Sequence, residues 1–116
     1  MNKTLSLIVA IFLVNISFGQ SKVSIDSLIG RIGEKVEICS KVHGIKAFER
    51  VTFINLGAAY PNSPLTVVIF GKDYPNFKDL PSSLYLNKQI CVTGTLAEYR
   101  GKPQIVVTKP GEIIVQ

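Results

Sequence analysis

The chain of 116 residues has little of what reactive sites are made from: one histidine, two cysteines and no tryptophan. One histidine and two cysteines cannot complete a common four-ligand zinc site without help from carboxylates. The acidic residues are scattered, at Asp26, Glu34, Glu37, Glu49, Asp73, Asp79, Glu98 and Glu112, so no cluster suits a hydrolytic metal. His43 has no second histidine, HxxE or CxxC near it, which leaves it a solvent-facing residue. There is no GxSxG and no phosphate loop, and Gly57-Ala58-Ala59 reads as a turn. These absences predict no catalytic residue, no metal and no cofactor. Length excludes a Rossmann domain with a substrate domain, and a TIM barrel of roughly 250 residues.

Long hydrophobic runs are also missing. Leu5–Val14 is apolar apart from Ser6, but about 20 such residues are needed to span a bilayer, so no membrane span is expected. The run follows a positively charged start, Asn2-Lys3-Thr4, and precedes Ser17-Phe18-Gly19, which puts small residues at −3 and −1 of a cleavage before Gln20. Charged start, short apolar stretch and small-residue exit are the parts of a secretory signal peptide. Residues 1–19 are therefore expected to be a leader and 20–116 a single domain, exported to the periplasm or secreted. The whole chain carries +5, from 13 basic and 8 acidic residues, and losing Lys3 leaves +4. That moderate excess favours polyanionic partners.

What remains reads as strands. Lys35–His43 alternates, with Val36, Ile38, Ser40 and Val42 on one face and Glu37, Cys39, Lys41 and His43 on the other, and Gly44 closes it. Val51–Leu56 is a second strand. Leu65–Phe70 is a third, β-branched and nearly continuous, so covered on both faces. Pro61-Asn62-Ser63-Pro64 between them is a turn. Asp73–Leu86 contains Pro75 and Pro81 and reads as a connector with a short helical turn, tucking Phe77, Leu80, Leu84 and Tyr85 against the sheet. Lys88–Leu96 is the fourth strand, Glu98–Pro103 a hairpin loop, and Gln104–Thr108 the fifth strand, with Ile113–Val115 placed to dock as an edge. Before them, Asp26 or Ser27 could cap one turn carrying Leu28, Ile29 and Ile32.

Five short strands with a connector between the third and fourth match the order of an OB-fold. Gly33-Glu34-Lys35-Val36, Phe53-Ile54-Asn55-Leu56-Gly57, Thr66–Gly71, Cys91-Val92-Thr93-Gly94 and Tyr99-Arg100-Gly101-Lys102-Pro103-Gln104-Ile105 together resemble the tRNA-anticodon-type OB domains, modules that also accompany secreted bacterial nucleases. The resemblance covers about residues 33–109 and departs at Ser40, where such domains commonly have glycine. It implies an all-β, five-stranded Greek-key barrel and a nucleic-acid partner.

In such a barrel the ligand lies across strands two and three, between the loop joining strands one and two and the loop joining four and five. The first of these loops carries Lys46, Phe48 and Arg50, and the second Tyr99, Arg100 and Lys102. Phe53 lies on strand two and Tyr60 just after it. Cations to neutralise phosphates and flat rings to stack bases are what single-stranded nucleic acid requires. Phe53 and Phe70 also fit a core role. Asn55 and Gln104 either meet base edges or are ordinary strand-face residues. A non-catalytic module for single-stranded DNA or RNA is thus expected. The alternative is an envelope protein that takes a partner protein or an oligosaccharide on the same face. Cys39 and Cys91 fall on outward faces of strands one and four, antiparallel neighbours in this barrel, so a disulfide is expected.

Overall fold

The computed structural model describes residues 21–116; the expected leader, residues 1–19, lies outside them. The architecture is all-β. Its strands are β1 (Ser21–Lys22), β2 (Lys35–Ala47), β3 (Val51–Leu56), β4 (Leu65–Phe70), β5 (Gln89–Thr95), β6 (Ala97–Tyr99), β7 (Lys102–Val106) and β8 (Ile113–Val115). Hydrogen-bonded neighbours run β6-β7-β4-β3-β2-β5-β8, with β1 parallel to the start of β2. The β4–β7 pair is parallel and the others on this path are antiparallel. β5 and β6 are separated by Leu96 alone, so one stretch of chain hydrogen-bonds to β2 at its start and to β7 at its end. Among the described residues no helix is long and apolar enough to cross a membrane.

The apolar face of the first strand read from the sequence forms part of the core, completed by alternate residues of its partners. Val36, Ile38 and Val42 of β2 meet Ile54 and Leu56 of β3, Leu65, Val67 and Ile69 of β4, Ile90 and Val92 of β5, and Leu96, Ile105 and Val107, all at most 1% exposed. Burying one such side chain contributes about 1.5–3 kcal/mol. Val68 is buried too, on the opposite face of β4, as its unbroken apolar run predicts. Gly94 shows how tightly the interior is filled: a Cβ there would stand 2.6 Å from Cγ2 of the fully buried Ile105.

The first strand differs from its expected extent. Gly44 does not end it; β2 runs thirteen residues to Ala47. Its first part pairs with β5 and its last part with β3, and the register shifts between Val42 and Gly44, leaving His43 as the extra residue of a β-bulge. A bulge bends a strand and locally increases its twist, which a strand serving two partners needs. Gly44, with nothing crowding its Cα, fits such a bend. Ser40, at the position where glycine was expected, is nearly buried; its Oγ donates to the Lys41 carbonyl and accepts from the Gly57 amide at 3.1 Å.

Smaller differences have local causes. The loop expected over Glu98–Pro103 shrinks to two residues, because Glu98 pairs with Pro103 and Tyr99 with Lys102. The fifth strand accordingly lies earlier, at Lys102–Val106. The connector folds as a 3-10 turn over Gly71–Asn76 and a short helix, α1 (Pro81–Tyr85). It buries Phe77 and Tyr85, whose rings meet edge to face at 6.4 Å, while Leu80 stays exposed. Burial pushes the Tyr85 phenol above its ordinary range. Residues 26–32 form turns without a helix, burying Leu28 and leaving Ile29 and Ile32 in solvent. Ile113–Val115 docks on the free side of β5.

Cys39 and Cys91 face each other in the β2–β5 ladder and form a disulfide, S–S 2.04 Å. Cys91 lies on the face opposite the core residues Ile90 and Val92, as expected, but is covered there: its strand is an interior one, with Cys39 on one side and Ile114 of β8 on the other. The bond joins positions 52 residues apart, and a loop of that order contributes about 4 kcal/mol in the chain-entropy model. The Cys39→Ala/Cys91→Ala variant is expected to lose stability of that order in urea unfolding, with the native circular-dichroism spectrum retained. Gly94→Ala is expected to lose about 1–3 kcal/mol, because Ile105 has no room to yield. An unchanged urea midpoint in either variant would contradict the packing described here.

Candidate functional site

The β2 bulge decides which side chains share the outer face. Counted straight through by twos, Lys46 would follow Val42 into the core; the extra residue at His43 reverses the parity beyond it. Ile45 therefore pairs with inward Ile54, and Lys46 pairs with outward Phe53. Two rows then cross the outer face. One runs Lys46, Phe53, Val68, Val106; the other runs Gly44, Asn55, Thr66, Gln104. Above them lies an open groove of about 560 Å³.

Seven of the eight expected binding residues line this groove: Lys46, Phe48, Phe53, Tyr60, Tyr99, Arg100 and Lys102. Arg50 does not. Because β2 extends to Ala47, its connection to β3 is a tight turn closed by the Phe48 amide donating to the Val51 carbonyl. Phe48 falls on the groove side, whereas the Arg50 carbonyl accepts from the Gly71 amide at the start of the connector. Phe53 and Phe70 are not core residues: Phe53 is half-buried and Phe70 is exposed.

The rings are presented to solvent at graded depths. Phe53 lies on the sheet with Phe48 edge-on to it at 6.3 Å, while Tyr60 (72% exposed) and Tyr99 (57%) stand at the rim. Tyr74, which the sequence did not single out, fixes the Phe48 end. Its hydroxyl donates to the Phe48 carbonyl at 2.8 Å and lies 2.7 Å from Thr52 Oγ1. At the other end Lys102 Nζ donates to the Pro61 carbonyl at 3.0 Å, tying the β6–β7 hairpin to the turn after Tyr60. Pro61, Thr66 and Pro103 join the lining without having been foreseen. Thr66 was discoverable as the position opposite Asn55; Pro61 and Pro103 needed the folded loops.

No acidic residue lines the groove. Among the described residues the single ion pair is Arg31–Glu34, so Lys46, Arg100 and Lys102 have no carboxylate partner. The guanidinium of Arg100 lies 5.2 Å from the Tyr99 ring centroid, a cation–π contact that holds both at the hairpin tip. The one grouping of potential metal ligands among the described residues is Glu37 with Cys39 and Cys91, and both sulfurs there are committed to the disulfide. His43 is exposed at the bulge. Asn55, expected to be either a base reader or an ordinary face residue, is 3% exposed and forms the groove floor.

No protein-family model matches the sequence, and no curated protein does. Solved structures do match in fold. One is an OBody bound to hen egg-white lysozyme, with TM-score 0.62 and 15% identity, covering 88% of this chain and 98% of that one. Another is a putative aspartyl-tRNA synthetase from Leishmania major Friedlin, with TM-score 0.55 and 11% identity over 92% of this chain. The chain spans 22% of the length of that synthetase.

Arg100 adopts φ +53° and Gly101 φ +80°, so both residues of the hairpin turn lie in the left-handed region. Asn-Gly is the preferred pair for such a turn, and a residue with a long side chain is strained at its first position. Arg100→Asn is therefore expected to stabilise the protein, by about 0.5–1 kcal/mol in urea unfolding. A destabilised variant would show that the arginine serves the fold and not the groove.

Proposed function

We propose that this chain is an OB-fold barrel that binds single-stranded DNA or RNA without catalysing a reaction on it. The observation that carries the reading is the convergence of three unpaired cations and four aromatic rings on one groove with no acidic side chain. Cations along a groove track the phosphates, and each base stacked on an aromatic ring contributes about 1–3 kcal/mol. Lys46, Arg100 and Lys102 hold the backbone in this reading, and Phe48, Phe53, Tyr60 and Tyr99 stack bases. Arg50 stands apart. Barrel closure is supported by the β5–Leu96–β6 segment, whose ends hydrogen-bond to β2 and to β7 and so join the two sides of the sheet. The similarity to part of a tRNA synthetase supports the fold assignment. Export is supported by the composition of residues 1–19 and by the disulfide, a bond that persists in oxidising compartments.

A second reading takes a partner protein or oligosaccharide of the cell envelope on the same face. The OBody, similar over nearly its whole length, is bound to lysozyme, which favours a protein over a glycan. The two readings separate on salt. Phosphate contacts release counterions, with a slope of about −0.7 in log K against log[salt] per contact for single strands. Three groove cations give an expected slope near −2 in fluorescence anisotropy with labelled oligonucleotides. Tyr99→Ala is expected to weaken binding about tenfold at every salt concentration, within the range for one stacked base. Affinity that is flat across salt, or unmoved in Tyr99→Ala, would turn the assignment to the protein partner.

A further inference from the structure

The outer face of the sheet continues past the groove. Beyond the row of Lys46, Phe53, Val68 and Val106, the next residues on that face are Val51 and Phe70, which oppose each other in the β3–β4 register and do not line the groove. Phe70 is 41% exposed, although it ends a strand whose inward residues Leu65, Val67 and Ile69 are fully buried. Val68, two residues before it on the same outward face, is only 3% exposed, with Phe53 opposite and Val106 on its other side, so the face here is a closed apolar surface. The ring pairs among the described residues are Phe48–Phe53 and Phe77–Tyr85, which leaves the Phe70 ring engaged by no other. Because Phe53 opposes Val68, Phe70 is its diagonal neighbour, and such neighbours stand about 7–8 Å apart. Arg50 and Lys72 flank this end of the face, but Glu49 and Asp73 adjoin them in the chain, so it carries little net charge.

We propose that Phe70 is a further base-stacking site, which takes the next base of a single strand whose preceding base lies on Phe53. The inference deepens the nucleic-acid reading and rests on it. Successive bases of a bound single strand need successive flat rings on one surface, open to solvent and not already paired. Phe70 meets each condition, and a strand that leaves the groove over Phe53 reaches it without changing face. With its cations offset by neighbouring carboxylates, this end of the face adds stacking and no phosphate contact. The site therefore lengthens the footprint of the strand without steepening its salt dependence.

The test is fluorescence anisotropy of labelled oligo-dT of increasing length, from about four to about twelve nucleotides, against wild type, Phe70→Leu and Phe70→Tyr. Phe70→Leu keeps an apolar cover beside Val68 and removes the flat ring; Phe70→Tyr keeps the ring. The ratio of wild-type to Phe70→Leu affinity is expected to be near unity for the shortest oligonucleotides that bind, which the groove alone can hold. It should rise to about tenfold, the scale of one stacked base, once the strand is long enough to pass Phe53. Phe70→Tyr should match wild type at every length, and the salt slope for the longest oligonucleotide should be the same in all three proteins. A ratio that does not change with length, whether at unity or at a uniform loss, overturns the role of Phe70; if Tyr99→Ala still weakens binding, the nucleic-acid reading survives it. No binding of any oligonucleotide at low salt overturns the inference together with the reading beneath it.

Discussion

One extra residue in β2 sets the geometry on which the groove depends. The strand must lie against β5 with its first half and against β3 with its second, and the bulge at His43 supplies the bend between them. The same insertion reverses the inward–outward alternation beyond Val42, because side chains in a strand follow a strict period of two. Without it Lys46 would point into a core of fully buried Val, Ile and Leu, where an unpaired ammonium is not sustainable. With it, Lys46 stands beside Phe53 on the outer face. The apolar core and the cationic, aromatic groove are thus divided between the two faces of the same strands.

The groove is held from three sides by polar ties made to backbone or to small hydroxyls. Tyr74 anchors the Phe48 end, Ser63 and Thr66 hold Asn55 at the floor, and Lys102 holds the Pro61 turn. The Tyr74 and Lys102 ties join segments 26 and 41 residues apart, so the loops that present the rings are cross-braced. Sites set on rigid strands with locked supporting contacts keep their geometry better than sites on free loops. The disulfide lies on the β2–β5 ladder, and neither cysteine lines the groove. Its contribution is therefore to the fold as a whole.

Much of this was legible in residue order, for a physical reason. β3 and β4 are short, β-branched and bounded by Gly57, Pro61, Pro64 and Gly71, so alternation and turn chemistry located them to the residue. The cysteines could be paired because their strands were matched by register, and the rings and cations could be gathered because the loops around β3 converge. What escaped depends on pairing partners that local pattern does not encode. Gly44 was read as a stop because glycine punctuates strands; only a second partner for β2 makes it part of a bend. Arg50 was grouped with Phe48 because the turn between β2 and β3 was taken to be longer than it is. Asn55 looked like a surface residue until the segment carrying Ser63 folded over it, and the left-handed turn at Arg100 follows from the Tyr99–Lys102 pairing.

The tie between Lys102 and the Pro61 carbonyl bears on how the protein would meet an anion. A lysine waving in solvent surrenders up to about 2 kcal/mol of rotamer freedom when it is first held in place. Lys102 has surrendered its share during folding. In the proposed reading an incoming phosphate would meet an ammonium already aimed, and an ammonium has three N–H donors, so it could take the anion and keep its bond to the Pro61 carbonyl. The turn that carries Tyr60 would then stay tied to the β6–β7 hairpin while the groove fills.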